Sequence, residues 1–153
     1  MPLRSTEGYS VLALSFFRGP GQPDKLALIP LELFDRALGW LKQQPEVADA
    51  PLAMIGMSKG AEAVLLMATR RPDLAAVVAA VPSSVVWPGF DWGRFRGLKE
   101  SSWSQEGRPL PMLPYGRFHW RRGVRSIYDE GLDRSGAILR RLYRSNCLKP
   151  PSY

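Results

Sequence analysis

One cysteine and one histidine are present among the 153 residues. The single thiol, Cys147, permits no internal disulfide, so packing must hold the fold, and a reducing cytoplasm is the expected setting. Near a terminus it reads as incidental. One histidine, His119, and one distant cysteine give no recognisable metal-ligand set, and no metal or cofactor is expected. No apolar run approaches the roughly 20 residues that span a bilayer. The opening Met1-Pro2-Leu3-Arg4-Ser5-Thr6-Glu7 lacks the apolar core of a signal peptide. The closing Pro150-Pro151-Ser152-Tyr153 matches no peroxisomal or ER-retention tail. No membrane partner is expected. Internal repeats and low-complexity tracts are absent.

The hydrophobic content of 45% and charged content of 23% suit a soluble globular domain with a real core. The net charge of +7 is unevenly placed. Through residue 98 the chain is nearly neutral, with ten Lys/Arg against nine Asp/Glu, while residues 99–153 hold eleven against five. Such a basic stretch suits nucleic acid, a membrane surface or a phosphorylated substrate, or it is chain that never served as a domain surface.

The most informative stretch runs from Leu52 to Ala68. An apolar run ends at Gly56, Ser58 follows two residues later, and Gly60 precedes a helix-period segment. This is the strand, sharp turn and helix of a G-x-S-x-G nucleophile elbow. Side chains at positions 56 and 60 are expected to collide with neighbouring backbone. The helix points its N-terminus at Ser58, where free N–H groups and the dipole favour developing negative charge. The Lys59 N–H is the expected first oxyanion donor. The Lys59 side chain is expected at the surface, pointing away from the serine, and Glu62 is expected as a helix-surface carboxylate. An ordinary strand-to-helix turn with a solvated serine is the plain alternative.

Along the rest of the chain, Tyr9 to Phe17 reads as a buried strand and residues 18–24 as a loop rich in glycine and proline. Pro30 is placed as the first residue of a helix whose apolar face is Phe34, Ala37, Leu38 and Leu41, with Pro45 as its stop. Residues 51–56 form the second strand. Ala61, Val64, Leu65 and Ala68 mark the next helix's apolar face, and Pro72 ends it. Leu74 to Val81 is a third buried strand. The expected fold class is therefore α/β, a parallel sheet with flanking helices, followed by an irregular aromatic and basic C-terminal segment. Beyond Pro82 the pattern dissolves. That excursion reads either as part of a lid over an apolar acyl chain or as a surface loop whose tryptophans fill gaps beneath it. A further helix is indicated at 137–143.

With these residues in view, the chain resembles the acyl-CoA thioesterase / bile acid-CoA:amino acid N-acyltransferase family. The likeness is to that family's C-terminal α/β-hydrolase domain and runs from about Gly8 to about Tyr128. It is carried by the strand from Gly8 to Leu14, by Phe17-Arg18-Gly19-Pro20-Gly21-Gln22-Pro23, by Ile29-Pro30-Leu31-Glu32-Leu33-Phe34, and by Ile55-Gly56-Met57-Ser58-Lys59-Gly60-Ala61-Glu62. The resemblance implies a partial α/β-hydrolase fold, an acyl-CoA substrate and Ser58 as nucleophile, with hydrolysis favoured over amide transfer. It also implies an aspartate and a histidine on later strands, which have no counterpart here. Residues 1–128 are thus expected to be a partial hydrolase domain and 129–153 a divergent basic tail, from a frameshift or an early stop.

His119, the single histidine, is the one candidate base for a Ser–His pair, although a partly buried loop histidine is the plainer reading. Asp91, Asp129, Glu130 and Asp133 are candidate acids by elimination, or else solvated loop and helix-end residues. Three functions compete. The first is acyl-CoA thioester hydrolysis through Ser58, with N-acyl transfer as its variant. The second is an inactive hydrolase-like fragment whose exposed sheet edge invites self-association. The third is a binder of nucleic acid through residues 117–144. No recognised binding motif accompanies those arginines, so no nucleic-acid partner is expected.

Overall fold

The structure, a computed structural model, describes residues 4–6, 8–83 and 85–116. The chain divides into two compact units, Met1–Met112 and Leu113–Tyr153. In the second, residues 113–116 are described and form no helix or strand. His119, Cys147, the 137–143 helix and the expected boundary at residue 128 lie outside the described residues.

Two short strands, β1 (Arg4–Thr6) and β2 (Tyr9–Val11), pair antiparallel across Gly8, whose φ is 78°. This corrects the reading of Tyr9 to Phe17 as one buried strand. Tyr9 is 73% and Val11 51% exposed. Leu12, Leu14, Phe16 and Phe17 instead pack against the core as irregular chain. Their apolar alternation supplies packing surface, but among the described residues no neighbouring strand offers them a hydrogen-bonding edge.

Next comes β3 (Ile29–Pro30), then α1 (Glu32–Lys42), so the helix begins two residues later than expected. Pro30 pairs with a distant strand, and the Leu31 N–H continues that ladder by donating to the Ser104 carbonyl at 2.9 Å. The helix can start only once that N–H is satisfied. Phe34, Leu38 and Leu41 are buried, as their spacing predicts, and Ala37 is half-buried.

The strand–helix–strand unit is β4 (Ala53–Met57), α2 (Lys59–Arg70) and β5 (Ala76–Ala80). β4 and β5 pair in parallel from Ala53↔Ala76 to Met57↔Ala80, with α2 packed against both. The crossover was legible in the sequence; the burial was not. Both strands alternate, so Ala53, Ile55 and Met57 line an exposed face with Ala76, Val78 and Ala80. On α2 the buried residues are Ala61, Glu62, Ala63, Val64 and Met67, whereas Leu65 and Ala68 are exposed. Arg70 and Arg71 then tie α2 to α1 through Asp35, at 3.5 and 3.1 Å.

Residues beyond Pro82 are more regular than expected. They form β6 (Pro88–Asp91), β7 (Arg96–Ser101), β8 (Trp103–Gln105) and β9 (Arg108–Pro109). β6 and β7 make an antiparallel hairpin, and β8 lies between β3, to which it is parallel, and β9. Trp103 is fully buried and sets its ring edge-on to Phe34, with centroids 6.0 Å apart, and against Phe16 at 5.5 Å. It is a core residue. Among the described residues the architecture is thus mixed α/β, with four small sheets and two helices. The expected three-stranded parallel sheet reduces there to the β4–β5 pair.

Candidate active site

Ser58 lies between the last residue of β4 and the first of α2. Its backbone has φ 52° and ψ −118°, outside the regions a serine normally occupies. Holding a non-glycine residue there costs on the order of 1–3 kcal/mol, which surrounding structure must offset. The Ser58 N–H donates to the Ala80 carbonyl at 3.0 Å, extending the β4–β5 pairing by one residue. No side-chain bond caps the helix at Ser58, which is exposed.

The turn closes because Gly56 has no side chain. A Cβ there would lie 2.2 Å from the Gly60 carbonyl oxygen and 2.8 Å from the Ala61 nitrogen. Gly60 differs from expectation, since a Cβ on it would meet nothing within 4 Å. The close approach involves the Gly60 backbone, and the space above its Cα is open. The first α2 bond runs from the Glu62 N–H to the Ser58 carbonyl at 3.2 Å. The N–H groups of Lys59, Gly60 and Ala61 therefore lie ahead of the helix's own ladder, beside the serine.

Two side chains of the first turn contradict the surface roles expected of them. Glu62 is 3% exposed. Its Oε1 accepts from Trp103 Nε1 at 2.8 Å and from the Trp87 N–H at 3.3 Å. Lys59 Nζ lies 3.0 Å from both Glu62 oxygens and 3.4 Å from the Trp87 carbonyl. Burial pushes the Lys59 ammonium below its ordinary value, and the Glu62 carboxylate opposes that shift. The helix turns inward here because residues 61–64 are all buried, so the first turn is enclosed instead of presenting one stripe. The sequence signal that could have found the pair is the Lys–Glu spacing of three on a helix next to a tryptophan-rich segment.

Asp91, a candidate acid, is 6% exposed and accepts the Arg94 N–H at 3.1 Å within its own hairpin, so it is not a solvated loop residue. His119, Asp129, Glu130 and Asp133 lie outside the described residues. Among the described residues no group of three or more His, Cys, Asp or Glu is arranged to hold a metal ion, and no helix is long and apolar enough to cross a membrane. A shallow apolar pocket is lined by Leu12, Leu14, Leu33, Arg36, Ala37 and Trp40, none of which belongs to the β4–α2 turn.

Residues 29–93 match the family described as BAAT / acyl-CoA thioester hydrolase C terminal. That span contains β3, α1 and the whole β4–α2–β5 unit with Ser58 at its turn. The chain is 36% identical over 76 residues to human acyl-coenzyme A thioesterase 6, covering 50% of this chain and 18% of that protein. It is equally similar, 36% over 76 residues, to mouse acyl-coenzyme A amino acid N-acyltransferase 1, again covering 50% of this chain and 18% of the relative. Mouse acyl-coenzyme A thioesterase 1 is 30% identical over the same length, with the same coverage. The matched stretch thus spans less than a fifth of each relative. No solved structure matches significantly. The resemblance to this thioesterase and acyltransferase family holds over about half the chain.

Proposed function

We propose that the chain carries the nucleophile segment of an acyl-CoA thioester hydrolase with an α/β-hydrolase fold, acting in fatty acyl-CoA metabolism in the cytoplasm. The observation that carries the reading is Ser58 at positive φ between a parallel strand and a helix N-terminus, with Gly56 packed on the Gly60 backbone. Relatives named as acyl-coenzyme A thioesterases support the substrate class. In this reading Ser58 Oγ attacks the thioester carbonyl carbon, the C–S bond breaks, and coenzyme A leaves as the thiol. Water then cleaves the acyl-serine ester to the free acid. The Lys59 N–H donates to the oxyanion, and His119, the single histidine, is the candidate to move the proton. The chemistry needs no cofactor. An acyl-coenzyme A amino acid N-acyltransferase among the relatives keeps amide transfer as the variant in which an amine replaces water.

A second reading is favoured by one observation. Ile55 (78% exposed), Met57 (72%) and Val78 (53%) form a face without charge beside the elbow. An inactive, self-associating hydrolase fragment fits that face. Thiol release from acyl-CoA by the purified chain, run beside Ser58→Ala and His119→Ala, separates the two. The catalytic reading expects turnover that both substitutions abolish. Turnover that survives Ser58→Ala, or none from folded protein, overturns it.

A further inference from the structure

A carboxylate as deeply buried as Glu62 needs hydrogen bonds in place of its lost hydration. The bonds it receives come from two different bodies. Trp103 Nε1 and the Trp87 N–H donate to Oε1 at 2.8 and 3.3 Å, and Lys59 Nζ bridges both oxygens at 3.0 Å. Trp103 is fixed by the rings of Phe16 and Phe34 and by the pairing of Ile29 with Trp103 in the β3–β8 ladder. Lys59 is the residue next to Ser58. The carboxylate therefore joins a rigid ring to the first residue of α2, at a helix end with no side-chain cap and a strained φ of 52°.

We infer that Glu62 is a positioning residue: through Lys59 it holds the first turn of α2, and with it the Ser58 backbone and the Lys59 N–H, in one geometry. The inference rests on the proposed role of Ser58 and adds a residue to it. A purely structural carboxylate would tie α2 to β8 without affecting the reactivity of the serine in folded protein. The two roles are separable because Glu62→Gln changes one end of the tether alone. The amide oxygen of glutamine can still accept from Trp103 and Trp87, whereas its NH2 group faces the Lys59 ammonium, donor against donor. Lys59 then keeps only the oxygen at Oε1 and the Trp87 carbonyl, and loses both the second oxygen and the opposite charge. Lys59→Met cuts the same tether from the other end and leaves the backbone N–H in place.

The test is phosphonylation of Ser58 by a fluorophosphonate ester, in which the Oγ–P bond forms, the P–F bond breaks, and fluoride and a proton depart. Thermal melting and amide hydrogen exchange are measured on the same samples. In protein that is still fully folded, both variants should label about a hundredfold more slowly, the loss expected for displacement of about 1 Å. The amides of residues 58 and 62, bonded to the Ala80 and Ser58 carbonyls in the parent, should exchange faster. Labelling at the parent rate in folded Glu62→Gln and Lys59→Met overturns the inference, and if Glu62→Gln does not fold, Lys59→Met decides alone. Should the parent itself not label, the proposed nucleophile role fails separately, and exchange then decides: acceleration confined to residues 58–62 sustains the tether, and unchanged exchange ends it.

Discussion

Gly56 and Gly60 are four positions apart in the same motif, and the structure gives substitutions there opposite signs. In Gly56→Ala the new methyl would sit 2.2 Å from the Gly60 oxygen, 2.4 Å from the Gly60 carbonyl carbon and 2.8 Å from the Ala61 nitrogen. All three are backbone atoms of the first helical turn, so no side chain can swing aside. Either β4 or α2 must move by roughly 1 Å, and overpacking of this kind costs about 1–3 kcal/mol. Rigid backbone places Gly56→Ala at the upper end of that range. In Gly60→Ala the methyl meets nothing within 4 Å, and the residue is helical. Replacing glycine by alanine inside a helix then gains up to about 1 kcal/mol, chiefly by restricting the unfolded chain. Urea unfolding followed by tryptophan fluorescence reads both, with the midpoint lowered in one variant and raised or unchanged in the other at constant slope. Two variants destabilised alike would refute the packing argument, as would a Gly56→Ala protein with the parent midpoint.

Two further outcomes follow from the charges and from the exposed face. Asp73 is held at a pKa of about 2, below its ordinary 3.8, first by its hydrogen bond to the Arg71 guanidinium. A depressed carboxylate stabilises the fold above pH 3.8 and loses that contribution as the pH falls from 3.8 toward 2, so Asp73→Asn should flatten the stability–pH curve in that window and nowhere else. An unchanged acid-unfolding profile would discount the pair. Ile55→Lys places a charge on a face where Ile55 is 78% exposed, and burying an isoleucine contributes about 1.5–3 kcal/mol. If copies associate through that face, the dissociation constant read by sedimentation should rise at least about tenfold; association unaffected by Ile55→Lys and Val78→Lys would place it elsewhere.

The features legible in the sequence were those set by residues close together along the chain. The β4–α2–β5 crossover follows from an apolar run, a glycine-bounded serine, a helix-period segment and a second run, all within residues 51–81. The face of α1 follows from the spacing of Phe34, Leu38 and Leu41. What was not legible depends on distant partners. Tyr9 to Phe17 has the apolar content of a buried strand, but only Tyr9–Val11 finds a pairing edge, and that edge is Arg4–Thr6. Residues 88–109 look irregular because prolines and glycines break every period. They become strands through pairings such as Pro30 with Ser104 and Leu26 with Phe90, 74 and 64 positions apart, which no local window contains.

Glu62 illustrates the same limit at the candidate site. A charged residue on an amphipathic helix is assigned to the solvent face by any stripe of period 3.6, and the expected stripe ran through Ala61, Val64, Leu65 and Ala68. The helix actually buries Ala63 and Met67 to completion and exposes Leu65, because β8 brings Trp103 against its first turn. That indole presents an N–H which an alkyl side chain at position 62 would leave unsatisfied, at about 1–3 kcal/mol. A carboxylate is thus what the tryptophan needs, and Lys59 is what the carboxylate needs once it is buried. The charge at position 62 therefore follows from a residue 41 positions away. The glycine at position 56, by contrast, follows from a neighbour four positions on. The turn was readable and its support was not, because the turn is local and the support is tertiary.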